Sequence, residues 1–245
     1  MEFAHGLLLA AEGAAGARLN SCAANWRAAG IAGIAGRDVL YGAGSVGQEL
    51  VFDLAGWPEG AERGEGVAFG PVVEGESGSN AGMRNEYRPV PLLEPAALPD
   101  MAAAPVGGWR VVCVSPSEGR RLPADGGDSE RAAGGERGLK QGNMRVPPHC
   151  SLRVLLELDD YYCGCPELTV SGGAGSELAV GWCEALAVTD EPSGRKDDRR
   201  EWRGRYFHGI YDRFRMDGRR GAELFTLHYR AGRFVSIEVR TGAEP

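Results

Sequence analysis

The feature that most constrains the fold is an alternation of apolar and polar residues that recurs after residue 146. Successive side chains of a β-strand point to opposite faces of a sheet, so this period of two places one face of each strand on a core. The apolar positions are, in chain order, Leu152, Val154, Leu156 and Leu158; Leu168 and Val170; Leu178, Val180 and Trp182; Ile210, Phe214 and Met216; Phe225, Leu227 and Tyr229; and Val235, Ile237 and Val239. About six short strands with Gly-rich turns and no helical pattern predict an all-β fold, a jelly-roll-like antiparallel β-sandwich.

Composition supports this fold class and divides the chain. The 38 glycines among 245 residues are about twice the usual share, which disfavours a helical bundle and suits a chain with many turns. Residues 1–110 are predicted to form a partial N-terminal β-rich domain, with strands near 48–54 and 109–114 and irregular segments rich in Gly and Pro. Residues 111–145 carry many charges and few apolar residues, which predicts a linker or a long exposed loop. Residues 146–245 form the predicted sandwich.

Charge and hydropathy exclude several classes of partner. The net charge of -7 and the absence of a long basic stripe disfavour nucleic-acid binding. No window reaches the 18 apolar residues of a membrane span. Residues 3–15 lack the basic start of a signal peptide, so a cytoplasmic location is expected, and the Ala-rich residues 1–36 are interpreted as the remnant of a truncated domain.

The cysteines are expected to be free thiols. Six are present: Cys22, Cys113, Cys150, Cys163, Cys165 and Cys183. The chain is long and lacks an export signal, which favours a reducing compartment over a disulfide framework. Cys163 and Cys165 are too closely spaced for a zinc knuckle, so neither a metal nor a cofactor is expected.

Three short motifs have structural explanations that outweigh catalytic ones. Residues 42–47 (GAGSVG) match the spacing of a dinucleotide loop, but a strand rather than a helix follows, so a hairpin turn is favoured. A nucleotide-binding α/β domain remains a distant alternative. Residues 171–176 (SGGAGS) lie between two strands and predict another hairpin. Neighbouring carboxylates at 159–160 and 197–198 point apart on an extended chain and predict solvated turns, so no catalytic residue is assigned.

Aromatic residues are dense after residue 160 and supply the candidate binding residues. Trp182 and Phe214 occupy inward positions of predicted strands and are assigned to the core. Trp202, Tyr206 and Tyr211 fall in loops or outward positions. Exposed aromatic rings can stack on sugars, so these three are the predicted carbohydrate-binding residues.

Several segments resemble the β-sandwich that precedes the catalytic barrel in bacterial α-L-rhamnosidases of glycoside hydrolase family 78. The similar segments are residues 82–94, 168–176, 184–186, 193–198, 202–218 and 229–239, and the likeness is strongest over 150–241. The resemblance implies a partner, the α/α barrel whose two glutamates act as general acid and general base with inversion. It therefore implies that this chain is a non-catalytic accessory region, inactive alone and prone to aggregate, that supports the barrel and contacts rhamnose-containing glycans. The alternative is a free-standing lectin-like carbohydrate-binding protein.

Overall fold

The computed structural model describes residues 26–30, 32–37, 48–57, 60, 63–72, 104–191 and 194–244. Cys22, the 42–47 motif and the 82–94 segment lie outside these residues. The chain divides into two compact units, one of residues 1–30 and 62–105 and the other of residues 31–61 and 106–245. In the first unit, strand β1 (Arg27–Ala28) pairs antiparallel with strand β4 (Gly70–Pro71).

The second unit is built on a seven-stranded sheet. Its strands are β2 (Ile34–Arg37), β3 (Glu49–Asp53), β5 (Trp109–Pro116), β6 (Ser151–Gly164), β8 (Glu177–Cys183), β9 (Ile210–Arg215) and β11 (Arg230–Arg240). Their order across the sheet is β2-β3-β9-β8-β11-β6-β5. All neighbours pair antiparallel except β3 and β9, which are parallel. The predicted all-β, sandwich-like class is confirmed.

One face of this sheet carries the larger core, and it follows the predicted alternation. The even-numbered apolar residues of β6 pack here with Leu178 and Val180 of β8 and with Val235 and Ile237 of β11. Phe214 of β9 stacks on Phe52 of β3 at 4.8 Å between ring centroids. A second, two-stranded sheet covers this face: β7 (Glu167–Val170) pairs antiparallel with β10 (Ala222–Phe225), and both contribute apolar side chains to the core.

The segment expected to be a linker contains an ordered helix. Helix α1 (Ser129–Lys140) starts after Asp128, whose carboxylate accepts hydrogen bonds from the backbone N–H groups of Glu130 and Arg131. The helix buries Ala132, Gly135 and Gly138, and a Cβ at Gly135 would lie 3.0 Å from Val114 of β5. Small residues allow this close approach, and they also leave no apolar stripe that predicts a helix. Over the described residues, the helices are too short or too polar to traverse a bilayer.

The predicted orientation of residues 225–229 is wrong. The structure buries the alternate residues Ala222, Leu224 and Thr226. Pairing with β7 sets this phase, because it places Leu224 opposite Leu168 on the core side. The three larger apolar residues lie at the other set of alternate positions and are exposed. The exposed fractions are 42% for Phe225, 51% for Leu227 and 48% for Tyr229.

A buried ion pair ties together strands that are distant in sequence. Asp212 of β9 and Arg230 of β11 are 0% and 1% exposed. The guanidinium of Arg230 donates to both carboxylate oxygens of Asp212, at 2.9 and 2.5 Å, and to the carbonyl of Gln48 at 2.7 Å. The backbone N–H of Leu50 donates to Asp212 at 3.1 Å. These contacts hold β3, β9 and β11 in register.

Candidate functional site

All three predicted binding residues lie on the second face of the seven-stranded sheet. This face has its own core, made of Cys113, Leu122, Leu155, Cys183, Leu186, Trp202, Phe207 and Phe234. Two loops cover it: residues 117–128, and residues 184–209 as far as the structure describes them, which is 184–191 and 194–209. Backbone bonds join the loops, since Leu122 donates to Arg205 at 2.8 Å and Phe207 donates to Arg120 at 2.9 Å. The second face is therefore enclosed by the chain's own loops.

A polar network lies beneath the first loop. The phenol of Tyr211 donates to Oε1 of Glu238 at 2.8 Å, and Nε and Nη2 of Arg153 donate to the same oxygen at 3.0 and 2.9 Å. Arg153 also donates to the carbonyl of Gly119 at 2.6 Å, which fixes the loop to the sheet. Burial, with the adjacent Glu238 carboxylate, raises the pKa of Tyr211, so its phenol stays protonated. The network therefore holds the loop of residues 117–128 against the sheet.

Two strand carboxylates of this face, Glu157 and Glu238, are each bonded to an arginine. Glu157 of β6 bonds to Arg110 at 2.6 Å, and Glu238 bonds to Arg153. In the β6–β11 register Glu238 lies opposite Arg153, four residues from Glu157. At about 3.3 Å per residue and about 4.8 Å between strands, the two Cα atoms are about 14 Å apart. Inverting enzymes place their carboxyl groups at about 6.5–9.5 Å, with room for one water.

The predicted exposure of Trp202 is wrong. Trp202 is 5% exposed and packs in the second core, with the guanidinium of Arg203 4.8 Å from its ring centroid. Its loop folds back over the sheet, which the sequence alternation does not indicate. Tyr211 likewise directs its hydroxyl inward to Glu238. The Trp202 ring is therefore covered by the chain itself, whereas the Tyr211 side chain is half-buried.

Tyr206 is half-buried, as Tyr211 is. It forms isolated β-bridges with Arg121 of the other loop and with Ala187 of its own loop. The guanidinium of Arg121 lies 5.8 Å from its ring centroid, and the His208 ring is stacked at 6.4 Å. Arg121 also lines an open groove of about 350 Å³ beside Ser115. Tyr206 is thus connected to this groove through Arg121, although its own side chain does not line it.

Sequence reasoning missed an exposed surface that we call the apolar strip, made of Phe225, Leu227 and Tyr229. The ring of Phe225 meets that of Trp57 edge-on at 6.0 Å, which anchors one end. The intervening Thr226 is buried, and its hydroxyl donates to the carbonyl of His228 at 2.9 Å. The sequence does show three large apolar residues at alternate positions. Which side of the sheet such residues face depends on the pairing with β7.

Comparison of the chain with models of known protein families, with curated proteins and with solved structures finds no match. These comparisons assign no family to the chain. The resemblance to the rhamnosidase sandwich stays a prediction that rests on the sequence segments alone.

Proposed function

We propose that this chain is a non-catalytic accessory β-module of an α-L-rhamnosidase-like glycoside hydrolase. Its role is to support the catalytic α/α barrel of the same parent protein. The sequence resemblance motivates this assignment, and the β-rich architecture of residues 106–244 is compatible with it. The polar network of the second face supports the non-catalytic part of the proposal. Its members, Tyr211, Arg153 and Glu238, bond to one another and to a loop.

The observation that carries the proposal is the apolar strip. Leu227 is half-exposed, and its neighbours in the strip are exposed to a similar degree. Contiguous exposed apolar residues with a polar rim are typical of protein–protein contact surfaces. Glu167, opposite Phe225 in the β7–β10 register, and Glu223 are exposed at the edge of the strip. We expect the barrel to meet it with an apolar centre and basic side chains at the rim.

The proposal is tested by association with a catalytic barrel. The purified chain is mixed with the barrel of a bacterial α-L-rhamnosidase produced without its own sandwich, and binding is followed by sedimentation velocity. We expect a complex that Leu227→Asp weakens at least about tenfold, since a buried interface residue contributes 2 kcal/mol or more when it is a hot spot. Val106→Asp is the matched control, because Val106 is 39% exposed in the same unit but lies outside the strip.

Two results would contradict the proposal. One is an absence of complex, or a complex that tolerates Leu227→Asp as well as it tolerates Val106→Asp. The other is release of nitrophenol from an aryl α-L-rhamnoside by the chain alone, because the proposed module carries no acid–base pair.

The second candidate is a free-standing lectin-like protein, and the position of Tyr206 favours it. Arg121, whose guanidinium lies 5.8 Å from the Tyr206 ring centroid, lines the open groove, and an aromatic ring beside polar groups can hold a sugar. Calorimetric titration with rhamnose-containing glycans separates the two candidates. Heat at millimolar glycan that Tyr206→Ala removes and Tyr229→Ala retains would favour the lectin, whereas an absence of heat would exclude the lectin.

We also propose that the module works in a reducing compartment, the cytoplasm. The five cysteines within the described residues are free. Burial raises the pKa of the Cys113 and Cys183 thiols, which keeps them protonated and unreactive. Retention of stability in the presence of a strong thiol reductant is the expected result.

A further inference from the structure

The sequence Cys163-Gly164-Cys165 places two thiols at the end of the longest strand of the sheet. Cys163 is in β6, and Cys165 follows the last residue of that strand. Both cysteines are free and exposed, whereas Cys113 and Cys183 are buried. This pair has no part in the apolar strip or in the network of the second face.

The backbone directs the two thiols to the same side. Cys163 and Gly164 are paired with Ala231 and Arg230 of β11, so the chain is extended there. Residues two apart on an extended chain share a face, with Cα atoms about 6.6 Å apart. A Cβ at Gly164 would lie 3.7 Å from the ring of Trp182, so position 164 faces the protein. Its two neighbours consequently face away from Trp182, toward solvent.

This spacing suits a bridging metal ion better than a disulfide. Disulfide-bonded cysteines have Cα separations of about 4.4–6.8 Å, most often about 5.5–6 Å, so the extended chain lies near the upper end of this range. Two sulfur atoms joined through a metal can lie farther apart than two that are directly bonded. The strand therefore holds the thiols apart while leaving both side chains free to turn toward one ion.

The number of available ligands indicates which metal ion the two thiols can bind. Within the ranges that the structure describes, no group of three or more His, Cys, Asp or Glu side chains could hold a metal ion. Structural Zn²⁺ takes four ligands, and hard cations take oxygen. Soft thiolates select Cu(I), a closed-shell ion that is stable with two ligands in a line. We propose that Cys163 and Cys165 form a two-coordinate thiolate site for Cu(I).

Binding at this site involves no change of oxidation state. Each thiol loses its proton to solvent, two S–Cu bonds form, and two protons are released for each Cu(I) bound. The ligands on the incoming ion leave with their electron pairs, so the step needs neither an oxidant nor a reductant. Affinity should fall at low pH, because protons compete for both sulfurs.

The test is competition for Cu(I) between the full chain and a chromophoric Cu(I) chelator under anaerobic conditions. We expect the wild-type chain to withdraw one equivalent of Cu(I). Cys163→Ser and Cys165→Ser should each weaken binding about 100-fold or more, because the second thiolate of a chelating pair acts at high effective concentration. Far-ultraviolet circular dichroism checks that each variant keeps the wild-type fold.

The remaining cysteines supply matched controls. Cys150→Ser changes a half-buried free thiol elsewhere in the same unit, and Cys22→Ser changes the cysteine outside the described residues. Both should bind Cu(I) as the wild type does. A wild-type chain that fails to compete, or Cu(I) binding that persists when both Cys163 and Cys165 are serine, overturns the proposal. Neither result affects the accessory-module proposal, which depends on the apolar strip.

Discussion

Asp212 and Arg230 form the contact whose loss should be most damaging to the fold. Both side chains are almost fully buried, and three hydrogen bonds reach Asp212: two from Arg230 and one from the backbone of Leu50. Asp212→Asn removes the charge but keeps the volume, and it takes the Asp212 carboxylate away from the buried guanidinium of Arg230. Removing one partner of a buried ion pair costs about 3–5 kcal/mol, so we expect a loss of that size in the free energy of unfolding.

The loss is measured by urea unfolding followed by tryptophan fluorescence. The midpoint should fall while the dependence on urea stays constant, because the surface exposed on unfolding is unchanged. In thermal unfolding each kcal/mol lowers Tm by about 2–4 °C in a chain of this size, so a decrease of about 6–20 °C is expected. Asp197→Asn is the surface control: its carboxylate pairs with an exposed Arg195, and such pairs contribute less than about 1 kcal/mol.

A double-mutant cycle separates the ion pair from other effects of the substitution. Arg230→Met should be as destabilising as Asp212→Asn, because it leaves the carboxylate buried and unpaired. The double variant buries neither charge alone, so its cost should be smaller than the sum of the single costs by about 1–3 kcal/mol. Additive costs, or an Asp212→Asn variant no less stable than Asp197→Asn, would refute the argument.

Three further substitutions test packing and pH dependence. Tyr211→Phe should lower stability at neutral pH by about 1–3 kcal/mol, because Glu238 loses a buried hydrogen-bond donor, and urea unfolding measures this. Burial raises the pKa of Tyr211, so above about pH 10 the native state keeps a proton that the unfolded chain releases. The stability of the wild type should therefore fall as the pH rises above about 10, and it should fall more steeply than the stability of Tyr211→Phe. Gly232→Ala places a Cβ 2.5 Å from the carbonyl oxygen of Cys183 and should cost at least about 1–3 kcal/mol in thermal unfolding. Gly134→Ala in α1 meets nothing within 4 Å and should instead stabilise by about 0.5–1 kcal/mol, so equal effects of the two alanines would contradict the packing.

The strands of the larger core could be predicted because the sequence shows both the period of two and which residues of each strand face the core. In β6 the apolar residues at even positions face the larger core, as the alternation of Leu152, Val154 and Leu156 predicts. Val235 and Ile237 of β11 behave in the same way. The strand near residue 50 was also predicted, and the structure confirms it as β3.

Other parts could not be predicted, for identifiable physical reasons. Helix α1 packs through Gly135 and Gly138, which carry no apolar signal. The placement of β3 beside β9 depends on a pairing between distant segments, which a local pattern does not encode. The orientation of Phe225 depends on its partner strand β7, because either phase of an alternating segment is compatible with the sequence.

For the candidate site, the sequence identified the aromatic residues but not their surroundings. Trp202 and Tyr211 face inward because their loop and strand are covered by residues 117–128, a segment whose composition predicts an exposed loop. Tyr206 keeps part of its ring accessible because it lies where the two covering loops meet. Enclosure by a distant loop is a tertiary property, and it decides which aromatic ring can reach a ligand.

The joining of β3 to β9 also limits when the domain can fold in the cell. Leu50 bonds to Asp212, a contact that spans 162 residues. A ribosome adding about 5–20 residues per second needs roughly 8–32 s to make that stretch, so β3 waits without its partner while the later strands are synthesised. During this interval Phe52, destined for the core, is available to other chains. Chaperone capture of the nascent N-terminal region is therefore a natural requirement for producing this fold in good yield.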